Sequence, residues 1–193
     1  MHFNPIKCIE RMRKKRDYSK PLAYLAVAAV LLGLSAVLGF NVLQGTMGNL
    51  AIPSYGYAAV GLGVALIVFA VGIFISWVFS LGMSMLGGKG KFYEGLVSIA
   101  YPLKLLSMGI FISALASYAG GIGGVISFLA LSVFGILAYT SLFRATREMF
   151  RVDMITAFIG VSTLFVILML AAYGSVLSGV VTSGLLPVAQ PSL

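Results

Sequence analysis

A chain of 193 residues that is 60% hydrophobic and 9% charged, with a formal charge of +8, is not a water-soluble domain, in which roughly a quarter of the residues are charged. Its solvent is the bilayer. One cysteine, Cys8, excludes an internal disulfide and a multi-cysteine metal site, and one histidine, His2 at the very terminus, gives histidine-based catalysis almost no support.

Residues 1–20 form a basic prelude. Asn4 and Pro5 suit a helix start. Ile6, Ile9 and Met12 follow at intervals of three, while Lys7, Arg11, Arg13, Lys14, Lys15 and Arg16 cover most of the remaining circumference. The pattern predicts a short amphipathic helix on the membrane surface, attracted to anionic headgroups by about 1 kcal/mol per cation. A first span is expected from Pro21 to about Leu43, with Ser19 as its cap, then an uncharged loop at 44–56. The second span covers about Tyr57 to Leu86, the third Leu96 to Tyr118, and GGIGG at 120–124 reads as a flexible hairpin. The fourth runs from about Val125 into RATREMFR. The fifth begins near Met154, where Asp153 suits the helix N-terminus, and fades after Leu177. The fold class is therefore an all-α integral membrane protein, with five transmembrane helices in residues 21–186 and a short tail at 187–193.

Cations occur in the prelude, in the second-to-third turn (Lys89, Lys91) and in the fourth-to-fifth turn (Arg144, Arg147, Arg151), and are absent from 44–56 and 118–124. Every other connection is basic. The positive-inside rule then places the N-terminus in the cytoplasm and the C-terminus outside, in a multi-pass protein of the cell membrane.

Gly72, Ser76, Ser80 and Ser84 recur every fourth position and form one row along a helix, a candidate packing seam. The glycines of LGGKGKF (86–92) lack the spacing of a phosphate loop, since Met83 stands where its first glycine belongs and Gly90 follows Lys89. A tight reversal remains, with Lys89 and Lys91 offered to a lipid phosphate. Lys104, two positions after Pro102, is a charge in an apolar span. Either it snorkels to the interface, or it faces the bundle interior and pairs with Glu94, Glu148 or Asp153 in a polar pocket. Pro102 should kink its helix or leave FYEGLVSIAY near the surface. Arg144, Arg147, Glu148 and Arg151 share a helix face with internal pairing at i, i+3 and i, i+4, either as a solvated helix end or as a surface for lipid or a partner. Trp77, Tyr93, Tyr101 and Tyr139 suggest an aromatic belt. No paired carboxylates, Ser–His arrangement or metal-ligand cluster stands out, so neither a catalytic centre nor a cofactor is expected, and no nucleic-acid partner.

The apolar span with Trp77, then LGGKGKFYEGL, then AYPLKLL, then a span ending in TREMFR and restarting near Ala157, resembles the Yip domain family of Ypt/Rab-interacting five-span membrane proteins. The N-terminal NPIKCIERMRKKRDYSKPLAYL is similar to its prokaryotic branch. The resemblance implies five helices, a cytoplasmic N-terminus, oligomer formation and, in eukaryotes, vesicle traffic through small GTPases. The Asp-Leu-Tyr-Gly-Pro signature and long N-terminal region of the eukaryotic branch are missing, so no GTPase-binding residue is carried over. The expectation is a non-enzymatic membrane adaptor or organiser that packs with itself or other membrane proteins and contacts anionic lipid. The alternative is a small-solute, ion or lipid permease or scramblase using the Pro102/Lys104 break.

Overall fold

The structure, a computed structural model, describes residues 16–47 and 54–182. Most of the expected interfacial segment, residues 1–15, and the whole tail at 187–193 lie outside them. The described residues form five long helices and no strand: α1 (Ser19–Met47), α2 (Ser54–Met85), α3 (Phe92–Ala116), α4 (Gly121–Phe150) and α5 (Met154–Thr182), with a single 3-10 turn, Ser117–Ala119, before α4. By length and hydropathy α1 to α4 each meet the requirement of a membrane crossing, while the shorter stretch Met154–Leu168 of α5 is apolar.

Local chemistry sets the helix ends and corrects several expected boundaries. Asp17, rather than Ser19, starts α1: its carboxylate accepts the Ser19 N–H at 3.0 Å. Pro21 fits the first turn, where a missing donor costs nothing. The helix continues to Met47, so the loop before α2 is shorter than the uncharged composition of 44–56 suggested. At the end of α2, Gly87 adopts φ +86°, its N–H reaches Ser84 O at 3.2 Å and the Gly88 N–H reaches Met83 O at 2.9 Å. This is a Schellman motif, in which glycine takes the left-handed position without a Cβ penalty. The expected flexible hairpin at 120–124 is instead the first turn of α4, because only Gly120 is needed for the reversal (φ +63°) and the residues after it are helical. At its other end α4 closes on Arg151, the one described non-glycine residue with positive φ (54°).

α3 is the centre of the bundle. It packs most extensively on α4 and α1, and half of its apolar window is buried, whereas α2 and α4 expose most of theirs. The run Tyr93–Ala100 is wholly buried within the bundle. α3 passes through Pro102 as a continuous helix. Helices in lipid gain little from excluding water and associate through close packing, and small residues supply it here. Gly72 lies against Leu25 of α1, where an added Cβ would stand 2.6 Å from Leu25 Cδ1. Gly95 of α3 lies against the Ser76 carbonyl and the Ser80 side chain of α2. The row Gly72, Ser76, Ser80 thus meets two helices of its own chain, while Ser84 is exposed and its hydroxyl donates to Ser80 O (2.9 Å) and toward Gly90 O (3.3 Å). The larger core cluster, including Phe79, Met83, Val97, Ala145, Phe150 and Val161, joins α2, α3, α4 and α5.

Candidate functional site: the basic end of the bundle

The start of α1, the α2–α3 turn and the α4–α5 turn converge on one end. The α2–α3 turn is docked there by its backbone. The Lys89 N–H donates to the Phe150 carbonyl at 3.0 Å, one of the terminal carbonyls an α-helix leaves without an internal partner. Gly90 is buried directly against the Phe150 ring, in space that any side chain would occupy. Phe150 is fully buried and meets Phe79 edge-on, centroids 5.8 Å apart. The glycines of the turn therefore serve a close approach to α4, and the turn holds Lys89 beside Arg151.

Glu94 sits at the focus of this end. Its Oε2 accepts the Lys91 N–H at 2.8 Å, the returning half of a capping box; lysine has no acceptor with which to complete the other half. Its Oε1 lies 3.0 Å from Arg16 Nη2. The Glu94 side chain is 7% exposed and that of Arg16 67%, so a buried carboxylate is met by a cation that stays mostly in water. This is the only ion pair between described residues. Next to it Tyr93 packs edge-on against Tyr18, centroids 5.0 Å apart.

Two adjoining clefts result. The first, about 290 Å³, is lined by Arg16, Lys89, Tyr93, Glu94, Met149 and Arg151. The second, about 340 Å³, is lined by Arg144, Arg147, Glu148, Arg151 and Val152. Each sets three cations around one carboxylate, and Arg151 belongs to both. Lys91 is exposed at the start of α3 and lines neither. Beyond them Asp153 opens α5: its carboxylate accepts the Ile155 N–H at 3.2 Å, and hydrogen bonding, first from the Thr156 side chain, holds its pKa below the usual aspartate value.

The polar pocket expected around Lys104 is not assembled. Glu94 is engaged with Arg16, Glu148 lies among the arginines of the second cleft, and Asp153 caps α5. Lys104 lies ten residues along α3 from Glu94, about 15 Å at 1.5 Å per residue. Its ammonium stands 4.5 Å from the centroid of the Tyr24 ring of α1, a cation–π contact in place of an ion pair. Nor do the expected pairs of Glu148 with Arg144 and Arg151 form within ion-pair distance; Arg151, in the left-handed conformation, has left the helical face. The aromatic belt is likewise not level. Tyr93 is buried at the basic end, whereas Tyr139 lies deep along α4 beside Phe165, centroids 5.8 Å apart.

The role of Arg16 was not foreseen, because its spacing suited the prelude helix. The signal that could have found this end is Glu94, an acid three residues after Lys91 and a glycine turn, which the expected start of the third span at Leu96 left outside the helix.

The family model of the Yip1 domain matches residues 1–176. No curated protein and no solved structure matches the chain.

Proposed function

The chain belongs to the Yip1 domain family, and from that premise we propose that it is a non-enzymatic membrane adaptor or organiser whose basic, cytoplasmic end contacts anionic lipid. The observation that carries this reading is the pair of adjoining clefts, where Arg16, Lys89, Arg144, Arg147 and Arg151 outnumber Glu94 and Glu148. Cations gathered at one end of an apolar bundle sit at headgroup level, where each adds about 1 kcal/mol of attraction to an anionic surface. The row Gly72, Ser76, Ser80 is already occupied by α1 and α3, so association with a second copy or with other membrane proteins would use the outer faces of α2 and α4, which carry exposed Leu62, Leu66, Phe74, Phe128 and Leu129.

The permease reading has less support. Lys104 is held against Tyr24, and the cavity beside Pro102 has apolar walls, whereas a conduit for polar solutes needs convergent polar groups. The test is to extract the protein from vesicles of mixed phosphatidylcholine and phosphatidylglycerol and analyse the lipid that accompanies it. Enrichment of phosphatidylglycerol that falls with added salt and in a Lys91→Gln, Arg144→Gln, Arg147→Gln variant is expected. Equal recovery of both lipids, or Lys104-dependent flux or scrambling in the same vesicles, would displace the reading.

A further inference from the structure

Below the basic end the bundle contains a cavity of about 450 Å³ that the reading above does not use. Its back wall is Ile99, Pro102, Leu103 and Leu106 of α3; α1, α2, α4 and α5 complete it, and Tyr139 is its one liner with a polar side-chain atom. It exists because α2 and α5 meet only near the basic end. There Gly160 lies against Met83, with Leu86 beside them. Farther along, these two helices make little contact, and Ile67 and Val71 of α2 stand with Phe165 and Leu168 of α5 around the gap. Ile67, Val71, Phe165 and Leu168 are all exposed, so the gap opens sideways toward lipid.

Depth and width say what fits. Counted from the helix ends at 1.5 Å per residue, the liners lie about 10–27 Å below the basic end, around the middle of a hydrocarbon core about 30 Å thick. A volume of about 450 Å³ spread over that depth averages roughly 6 Å across, too narrow for a helix of about 10–12 Å and wide enough for a single hydrocarbon chain. The cations lie above it at the depth of a headgroup: Gly88, which precedes Lys89, packs against Met83 and Phe150, and Arg151 follows Phe150, so both turns border the Met83–Gly160 contact while the two side chains line the cleft that holds Arg16 and Glu94.

We infer that the cavity is the seat of one acyl chain of an anionic phospholipid, which enters between α2 and α5 while its phosphate lies against Lys89 and Arg151. This rests on the anionic-lipid reading for the headgroup and adds to it a site that selects a chain. The occupant is distinct from bulk lipid because it has protein on several sides, so filling the cavity must expel it without altering the outer surface. Gly135 offers the means. It lines the cavity, and an added Cβ would meet nothing within 4 Å, so Gly135→Trp fills the space without a backbone clash.

The experiment uses the full chain in phosphatidylcholine nanodiscs containing a trace of phosphatidylglycerol with a photoreactive group at the end of one acyl chain, with crosslinks mapped by mass spectrometry. Expected are crosslinks at Phe165, Leu168 and Tyr139, competed better by unlabelled phosphatidylglycerol than by phosphatidylcholine. They should fall at least fivefold in Gly135→Trp, while labelling of the lipid-facing Leu129 persists. In a Lys89→Gln, Arg151→Gly variant the preference for phosphatidylglycerol should disappear; glycine at 151 removes the charge and suits the left-handed backbone. Cavity labelling unchanged in Gly135→Trp overturns the acyl seat and leaves the headgroup reading standing. Equal competition by the two lipids overturns the anionic headgroup, and with it both this assignment and the proposed function.

Discussion

The Arg16 guanidinium lies 3.0 Å from a Glu94 carboxylate that is 7% exposed, although the arginine itself is 67% exposed. The partners are therefore unequal in what their loss costs. Glu94→Ala removes the ion pair and also the acceptor of the Lys91 N–H at the start of α3, and is expected to cost about 1–3 kcal/mol. Arg16→Ala, losing one mostly solvated contact, is expected to cost under about 1 kcal/mol. Thermal unfolding in detergent, followed by the fluorescence of Trp77, the sole tryptophan, measures both. An Arg16 variant as damaged as the Glu94 variant would contradict this assignment.

Gly95→Ala should be the more disruptive of two small changes in the helix-packing row. Its new Cβ is driven into the Ser76 backbone carbonyl, which cannot turn aside, at an expected cost of about 1–3 kcal/mol. Gly72→Ala meets the end of the Leu25 side chain, which can change rotamer, so a smaller loss is expected. Reversal of that order in unfolding measurements would place the tight contact elsewhere.

Ser98 is fully buried, and its hydroxyl has no hydrogen-bond partner. It stands one turn before Pro102, which has no N–H to offer the Ser98 carbonyl. Deleting the hydroxyl removes a desolvated polar atom, so Ser98→Ala is expected to be neutral or to stabilise by about 1 kcal/mol. A clear loss of stability in that variant would show that the hydroxyl is engaged.

Asp153 has a pKa below the usual aspartate value because the Thr156 side chain and α5 backbone N–H groups bind its charged form. A folded-state value lower than the unfolded one adds stability above the ordinary aspartate pKa, and the contribution disappears as pH falls through the lowered value. Asp153→Asn should therefore melt below the parent at neutral pH and converge with it in acid. A constant offset across the titration would assign the effect to something other than the carboxylate.

Much of the architecture was legible in the sequence, because hydropathy and the alternation of charged and neutral connections depend on composition alone. The residues that start and end helices were legible less often. Asp153 announces itself as an acid before an apolar run, but Asp17 was hidden by Ser19 two residues on, an equally good cap by type. The Lys104 pocket failed for a reason that spacing does not reveal. One side chain can meet any of several opposite charges until the fold fixes depth, and here Lys104 meets the Tyr24 ring and forms no ion pair with a described carboxylate. The Gly90–Phe150 contact was likewise out of reach, since it joins two turns far apart in the chain.

That contact has a consequence for biosynthesis. When the α2–α3 hairpin is threaded into the membrane, Phe150 has not been translated, so the reversal at Gly87–Gly90 has its own hydrogen bonds but no surface to rest on. The face that carries the cations can take its mature shape only after the fourth helix has been delivered, and a nascent chain arrested before Phe150 should display that turn unprotected to a protease.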